Sequence, residues 1–117
     1  MMWTMTVAVY GLGRFGWLWA EMLAEYVEVI GLNRSPVAQP PRNVRIATVD
    51  ELRNCDAVFL CVAIAAVPAV CRWIAPYLRA GQVVADTCSV KTQPLEWMRA
   101  HLPEEVQLLG THPMFGP

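Results

Sequence analysis

The feature of the sequence that most constrains its fold is a series of short, mainly apolar segments that alternate with helical patterns. Segments that are apolar at nearly every position are typical of strands covered on both faces in a parallel sheet. Five strands are predicted on this basis, at residues 4–10, 27–32, 56–62, 82–86 and 106–110. The alternation therefore predicts a doubly wound α/β fold, with a mainly parallel sheet and helices on both faces.

The connections between these strands are predicted to be largely helical. Helical patterns cover residues 13 to about 26, 65–78 and 90–102. The second pattern contains Pro68, which fits a helix best in the first turn. Residues 35–43 contain three prolines and are predicted as a loop. A short extended piece at 44–47 and a single helical turn at 49–54 complete the connection to the third strand.

Length and composition limit the class of protein. The 117 residues fit one domain, and the net charge of −1 gives no basic surface for nucleic acid. The longest uncharged apolar stretch, residues 57–71, is shorter than the roughly 20 residues that span a bilayer. The four cysteines, Cys55, Cys61, Cys71 and Cys88, form no CxxC pair and are expected to be reduced thiols. We expect a cytoplasmic protein with no membrane or nucleic-acid partner and no metal site.

A glycine-rich segment directly follows the first predicted strand and opens the first predicted helix. Gly11, Gly13 and Gly16 match the pattern GxGxxG in the context that its mechanism requires. The first glycine is expected to make a tight turn, the second to let the backbone approach a pyrophosphate, and the third to let helix and strand pack closely. The helix N-terminus favours the negative charge of the phosphates. A Rossmann-type dinucleotide site is therefore predicted here, with Arg14 and Phe15 as further contacts, and a plain turn as the alternative.

The end of the second predicted strand indicates which dinucleotide is bound. Sites selective for NAD place an Asp or Glu about 20 residues after the glycines, where it binds the ribose 2′-hydroxyl. This chain has Asn33, Arg34 and Ser35 there, and no carboxylate. A guanidinium and a hydroxyl suit a 2′-phosphate, so NADP is the predicted cofactor. The alternative is that Arg34 is a solvated loop residue.

Two further segments follow strands, at the sheet edge where α/β folds bind ligands. Residues 86–91 read DTCSVK and residues 110–117 read GTHPMFGP, with Pro94, Leu95 and Met98 in the helix between them. Together with the glycine loop they resemble the prephenate and arogenate dehydrogenases of tyrosine biosynthesis. The resemblance covers essentially the whole chain, but only the N-terminal nucleotide-binding domain of that family.

The resemblance implies an oxidative decarboxylation of prephenate or arogenate. Hydride leaves the ring carbon that bears the hydroxyl, the ring carboxylate departs as carbon dioxide, and the ring becomes aromatic. By resemblance, His112 is the catalytic residue, and a neutral imidazole suits the removal of the hydroxyl proton. Ser89 is implied to orient His112 and to line the nicotinamide pocket, while Lys91 supports the start of the following helix.

Further cofactor contacts follow from the same resemblance. Val62 and Ala63, after the third predicted strand, are expected to touch the cofactor, as are Thr87 and Cys88 after the fourth. The family usually has a proline in the first of these loops, where this chain has Ala63. The family also continues into a helical domain, expected to be absent here, that supplies carboxylate-binding arginines and dimer contacts.

Two alternatives to this function remain at the level of sequence. One is a stand-alone dinucleotide-binding module without turnover, and the other is a different Rossmann-type oxidoreductase, against which the HPMFGP segment argues. A homodimer is expected, because 56% of the residues are hydrophobic and a domain of this size has proportionally more surface. Trp17 or Trp19, which are about 200° apart on one helix, and Met114 and Phe115 are the expected contributors.

Overall fold

The computed structural model of the chain describes residues 5–88 and 92–111 and contains one parallel sheet. The strands of this described part are β1 Thr6–Tyr10, β2 Glu28–Leu32, β3 Val44–Ile46, β4 Ala57–Leu60, β5 Val83–Asp86 and β6 Gln107–Gly110. The helices of the described part are α1 Arg14–Leu23, α2 Val67–Ile74 and α3 Thr92–His101. The five predicted strands and three predicted helices are confirmed.

The strand order of the sheet is β3-β2-β1-β4-β5-β6, and every neighbouring pair is parallel. The extended piece expected at 44–47 forms β3 at one edge, where it pairs with β2. The direction of the order reverses between β1 and β4, so the loops that follow these two strands diverge. Such a reversal opens a crevice at the carboxyl edge of the sheet.

Alternating residues of the strands face two separate cores. Ala8 and Tyr10 of β1 belong to the core that contains Val67, Cys71 and Ile74 of α2 and Met98 of α3. Val9 faces the opposite core, together with Ala20 of α1. Helices therefore cover both faces of the sheet, which confirms the doubly wound fold.

The segment predicted as one helix over 65–78 is broken into three pieces. Helix α2 is flanked by 3₁₀ turns at Ile64–Ala66 and Ala75–Tyr77. Pro68 lies in the first turn of α2, as predicted. Pro76 ends the α-helix, because proline lacks an N–H donor and its ring clashes with the preceding turn. Across the described ranges, we find no helix with the length and apolar character needed to span a membrane.

Gln82 immediately precedes β5, which was predicted to begin at this residue. Its side chain is buried, and its Nε2 donates hydrogen bonds to the carbonyl oxygens of Leu52, at 2.7 Å, and Cys55, at 2.8 Å. Its Oε1 accepts a hydrogen bond from the backbone N–H of Arg79 at 2.6 Å. One amide side chain therefore joins the segment before β4 to the segment before β5.

Replacing Gln82 with methionine, which is similar in volume, should destabilise the fold. The substitution removes three hydrogen bonds from a buried site, so the free energy of unfolding should fall by about 2–4 kcal/mol in urea titrations. Gln39→Met, at an exposed loop position, is the matched control and should change it by less than about 0.5 kcal/mol. Equal urea midpoints for the two variants would contradict this role of Gln82.

Candidate functional site

The turn after β1 requires its first glycine. Gly11 has a φ of +104°, and a Cβ at this position would lie 2.3 Å from the carbonyl oxygen of Cys61. Its backbone N–H donates a hydrogen bond to the carbonyl oxygen of Leu32 at 2.8 Å. Gly11 therefore makes the predicted tight turn and holds it against the strand ends on both sides.

The other two glycines of the loop have different roles. A Cβ on Gly16 would lie 1.8 Å from the carbonyl oxygen of Gly11, so this glycine allows α1 to pack directly on the turn. Nothing lies within 4 Å of the corresponding position on Gly13, which precedes the helix. No side chain caps the N-terminus of α1, and no acidic residue lies in its first turn. The loop thus has an open backbone face at a helix N-terminus, an arrangement that suits phosphate.

Asn33 links the end of β2 to the glycine loop. Its Oδ1 accepts a hydrogen bond from the backbone N–H of Leu12 at 2.8 Å, and its Nδ2 donates one to the carbonyl oxygen of Ser35 at 3.1 Å. Both polar ends of the side chain therefore have partners within the protein. Of the three residues predicted to contact the ribose, Asn33 holds the loop, whereas Arg34 and Ser35 are exposed.

Arg34 lies beside the end of β1. Burial raises the pKa of the Tyr10 hydroxyl, and the positive charge of Arg34 opposes this rise. Within residues 5–88 and 92–111, Arg34 has no carboxylate partner. Its guanidinium is therefore available to an anionic group.

A cavity of about 430 Å³ opens between the loop after β2 and the helix after β4. Tyr10, Gly11, Asn33 and Arg34 line one side. The other side is lined by Val62 and by a row from the helical segment, Ala66, Ala69, Val70 and Trp73. A smaller cavity of about 300 Å³ shares Tyr10, Asn33 and Trp73 with it. The lining is mostly apolar, with one cation at the rim, as a nucleoside with a phosphate group requires.

Several residues of this cavity were not singled out from the sequence. Tyr10 ends the first predicted strand, and Trp73 lies within the helical pattern over 65–78. The spacing of Ala66, Ala69, Val70 and Trp73, at i, i+3, i+4 and i+7, was the available signal. This spacing defines one face of a helix, and the small residues at its start leave space beside the glycine loop.

The loop after β4 lies where the sequence predicted. Val62 lines the cavity, and its Cγ1 would lie 2.9 Å from a Cβ on Gly11. Ala63 is exposed and precedes the 3₁₀ turn at Ile64–Ala66. The structure therefore brings Val62 to the glycine loop and leaves Ala63 at the surface beside it.

Phe15 packs within an aromatic row on α1. Its ring stacks on that of Trp19, with centroids 6.0 Å apart, and Trp19 meets Phe59 of β4 edge-on. Trp17 and Trp19 are both partly buried and pack against the same core. Arg14 is exposed at the first position of the helix. The side chain of Phe15 thus helps to fix α1 on the sheet.

The ends of β5 and β6 are joined through Asp86, whose side chain is fully buried. Its Oδ2 accepts a hydrogen bond from the backbone N–H of Cys88 at 3.1 Å. Its backbone carbonyl oxygen accepts a hydrogen bond from the backbone N–H of Thr111, also at 3.1 Å. Thr87 bonds to β4, since its Oγ1 donates to the carbonyl oxygen of Leu60 at 2.9 Å. The described residues that precede Ser89 and His112 in the chain are therefore neighbours at the carboxyl edge.

The predicted catalytic residues themselves, Ser89 and His112, lie outside the described residues, as do Lys91, Met114 and Phe115. In the described ranges, no group of His, Cys, Asp and Glu residues could hold a metal ion.

Three cysteine thiols are held in the protonated form. Burial raises the pKa of Cys55 and Cys71 to about 11 and that of Cys61 to about 12. None of these three forms a disulfide in the structure. Because the thiolate is the reactive form, these residues are not nucleophiles at neutral pH.

A parallel sheet in this strand order, with a glycine loop at the point where the order reverses, is the dinucleotide-binding domain of the Rossmann type. The family model described as "Prephenate dehydrogenase, nucleotide-binding domain" matches residues 26–117. The chain therefore belongs to the prephenate dehydrogenase family and contains its nucleotide-binding domain. The glycine loop lies before the matched residues, so its geometry is a separate observation.

Similar proteins are known among curated sequences and solved structures. Arogenate dehydrogenase 2 of Arabidopsis thaliana is 31% identical over 95% of this chain and 33% of its own length. The chain spans a third or less of the curated relatives that it matches. The Synechocystis arogenate dehydrogenase structure has a TM-score of 0.79 at 24% identity, over 97% of this chain and 42% of that one. Aquifex aeolicus prephenate dehydrogenase, in complex with hydroxyphenyl propionate and NAD+, has a TM-score of 0.76 at 17% identity, over 97% and 43%.

Alanine at Gly13 and alanine at Gly16 should have unequal effects on stability. Gly16→Ala places a methyl group against the Gly11 carbonyl and should lower the free energy of unfolding by about 3 kcal/mol or more. Gly13→Ala meets open space and should change it by less than about 1 kcal/mol. Chemical denaturation followed by circular dichroism measures both. Similar losses in the two variants would show that α1 does not depend on this contact.

Proposed function

We propose that this chain binds NADP(H) for an enzyme that oxidatively decarboxylates prephenate or arogenate. The observation that carries the cofactor assignment is Arg34 at the rim of the cavity, without a carboxylate partner in the described part of the chain. Family membership and the resemblance of residues 86–91 and 110–117 to the dehydrogenase motifs support the reaction.

The preference for NADP rests on the residues after β2. In an NAD-selective site, a carboxylate at this point binds the ribose 2′-hydroxyl. Here Asn33 is engaged with Leu12 and Ser35, and the exposed groups are the Arg34 guanidinium and the Ser35 hydroxyl. A guanidinium forms charge-assisted hydrogen bonds to phosphate oxygens and has no comparable partner in a free ribose hydroxyl. These residues therefore favour the cofactor that carries a 2′-phosphate.

The remaining cofactor contacts follow the crevice at the carboxyl edge. The open backbone face at Gly13 and the N-terminus of α1 would hold the pyrophosphate, with Arg14 adding positive charge. The nicotinamide half of the cofactor would be lined by two loops, one with Val62 and Ala63 and the other with Thr87 and Cys88. The nicotinamide, when bound, supplies the hydride acceptor.

Proton transfer is assigned to His112. As hydride leaves the ring carbon, the bonding electrons of the departing carboxylate complete the aromatic ring, and the hydroxyl proton passes to the neutral imidazole. Ser89 would hold that imidazole in position. The hydrogen bonds that Cys88 and Thr111 both make to Asp86 support this pairing, since each is the chain neighbour of one of the two residues.

Binding of the substrate carboxylates and dimerisation are proposed to involve a helical domain, as in the family. Other large apolar side chains are exposed on the described residues and support association: Met22, Ile46, Ile64 and Leu109. A stand-alone module that binds NADP without turnover would share every residue discussed here. The buried, protonated thiols fit the reducing cytoplasm that we propose as the compartment.

Removing the guanidinium of Arg34 should weaken the binding of NADP more than the binding of NAD. Arg34→Ala should weaken NADP binding about tenfold or more, because a hydrogen bond to a charged group contributes about 1.5–3 kcal/mol, and should leave NAD nearly unaffected. Isothermal calorimetry with both dinucleotides measures the difference. Arg42→Ala, at an exposed arginine of the same connection that does not line the cavity, is the matched control. Equal affinities for NADP and NAD in the unmodified protein would rule out the preference.

Removing the imidazole should affect turnover and not cofactor affinity. His112→Asn in the complete gene product should slow the NADP-dependent oxidation of prephenate or arogenate by about 10²–10⁴-fold, the usual contribution of general acid–base catalysis. NADP affinity should be retained. Full turnover in the variant would reject His112 as the base, whereas binding without turnover in the unmodified protein would identify the stand-alone module.

A further inference from the structure

We propose that the indole of Trp73 is the surface against which the adenine ring of the cofactor packs. The inference rests on the proposed binding of a dinucleotide and assigns a role to a residue that the sequence patterns did not single out. It would make Trp73 a determinant of affinity for both NAD and NADP, because both contain adenine.

The position of Trp73 is the first observation. It lies near the end of α2, and about half of its surface, 51%, is exposed. The same side chain lines both the cavity of about 430 Å³ and that of about 300 Å³. A large aromatic ring left half exposed at the common wall of two cavities is available to pack against a flat ligand.

The helix that carries Trp73 shapes the cavity around it. Ala66, Ala69 and Val70 line the wall nearer to the start of α2, and Trp73 lines it one turn further on. Small side chains near the loop after β4 leave a space, and the indole closes the far end of that space. The resulting compartment is apolar on the helix side, which suits a nucleobase better than it suits a ribose or a phosphate.

The indole is also fixed in relation to the glycine loop. The ring of Tyr10 meets that of Trp73 at 86°, with centroids 6.0 Å apart. Tyr10 is buried at the end of β1 and is followed directly by Gly11, which makes the phosphate-binding turn. Trp73 is therefore connected to the glycine loop through Tyr10, which contacts the indole, and Gly11, the next residue in the chain.

The opposite wall of the cavity completes the match to an adenosine 2′-phosphate. Arg34 stands at the rim, across from the helix, and the part of the chain described by the structure gives it no carboxylate partner. An aromatic wall for the base and a cation for the phosphate are the groups that this half of NADP requires. The two residues should therefore contribute separately, Trp73 to the base and Arg34 to the 2′-phosphate.

The test uses NADP, NAD and adenosine 2′,5′-bisphosphate as probes, with calorimetry for affinity. Trp73→Ala should weaken binding of all three by about 10- to 100-fold, the range expected for stacking of one base on an aromatic ring. Trp73→Phe keeps an aromatic surface and should lose less than about fivefold. Tyr26→Ala, at an exposed aromatic residue that lines neither cavity, is the matched control and should bind as the unmodified protein does.

A second readout does not depend on the alanine variant being folded. Adenosine 2′,5′-bisphosphate should quench part of the tryptophan fluorescence of the unmodified protein, and this quenching should be lost in Trp73→Phe. Unchanged affinities in both Trp73 variants, or the same quenching in Trp73→Phe, would overturn the assignment while NADP binding stands. A loss for NADP and adenosine 2′,5′-bisphosphate but not for NAD would place Trp73 at the 2′-phosphate and also overturn it. Failure of the unmodified protein to bind any of the three probes would overturn the proposed function itself.

Discussion

The close packing of α1 on the turn after β1 is the constraint on which the rest of the site depends. Only a residue without a Cβ can occupy position 16, because that atom would lie 1.8 Å from the Gly11 carbonyl oxygen. This approach sets the N-terminus of the helix at the carboxyl edge of the sheet. The positive end of the helix dipole is therefore fixed at the place where a negatively charged ligand can reach it.

The loops after β2 and β4 are then joined to this turn. Gly11 lies against Cys61 after β4, and the Leu12 N–H is bonded to Asn33 after β2. The framework of the site is thus held by backbone packing and by one amide side chain, and the exposed side chains on it are free to set the chemistry. Arg34 and Trp73 differ in this respect from Asn33, whose side chain belongs to the framework.

The sequence was sufficient for the sheet and the glycine loop, because both depend on local patterns. Buried strands are recognised by their apolar composition, and Gly11 and Gly16 by steric requirements that no other residue meets. The end of the second helix before Pro76 was missed. A helix accepts proline in its first turn, where Pro68 lies, but not in its interior, where the predicted helix would place Pro76. The contact between Tyr10 and Trp73 could not be foreseen, because it joins a strand end to a helix that is distant in the sequence.

The hydrogen bond between Asn33 and Leu12 bears on how the charge beside the cavity could change during evolution. Aspartate has nearly the same shape as asparagine and retains the oxygen that accepts the Leu12 N–H. Replacing the Nδ2 group of Asn33 by an oxygen would keep the hydrogen bond to the loop, remove the donor to Ser35 and add a negative charge beside the cavity. One substitution could therefore change the charge at this strand end while the loop stays anchored, and the fold would not have to be lost first.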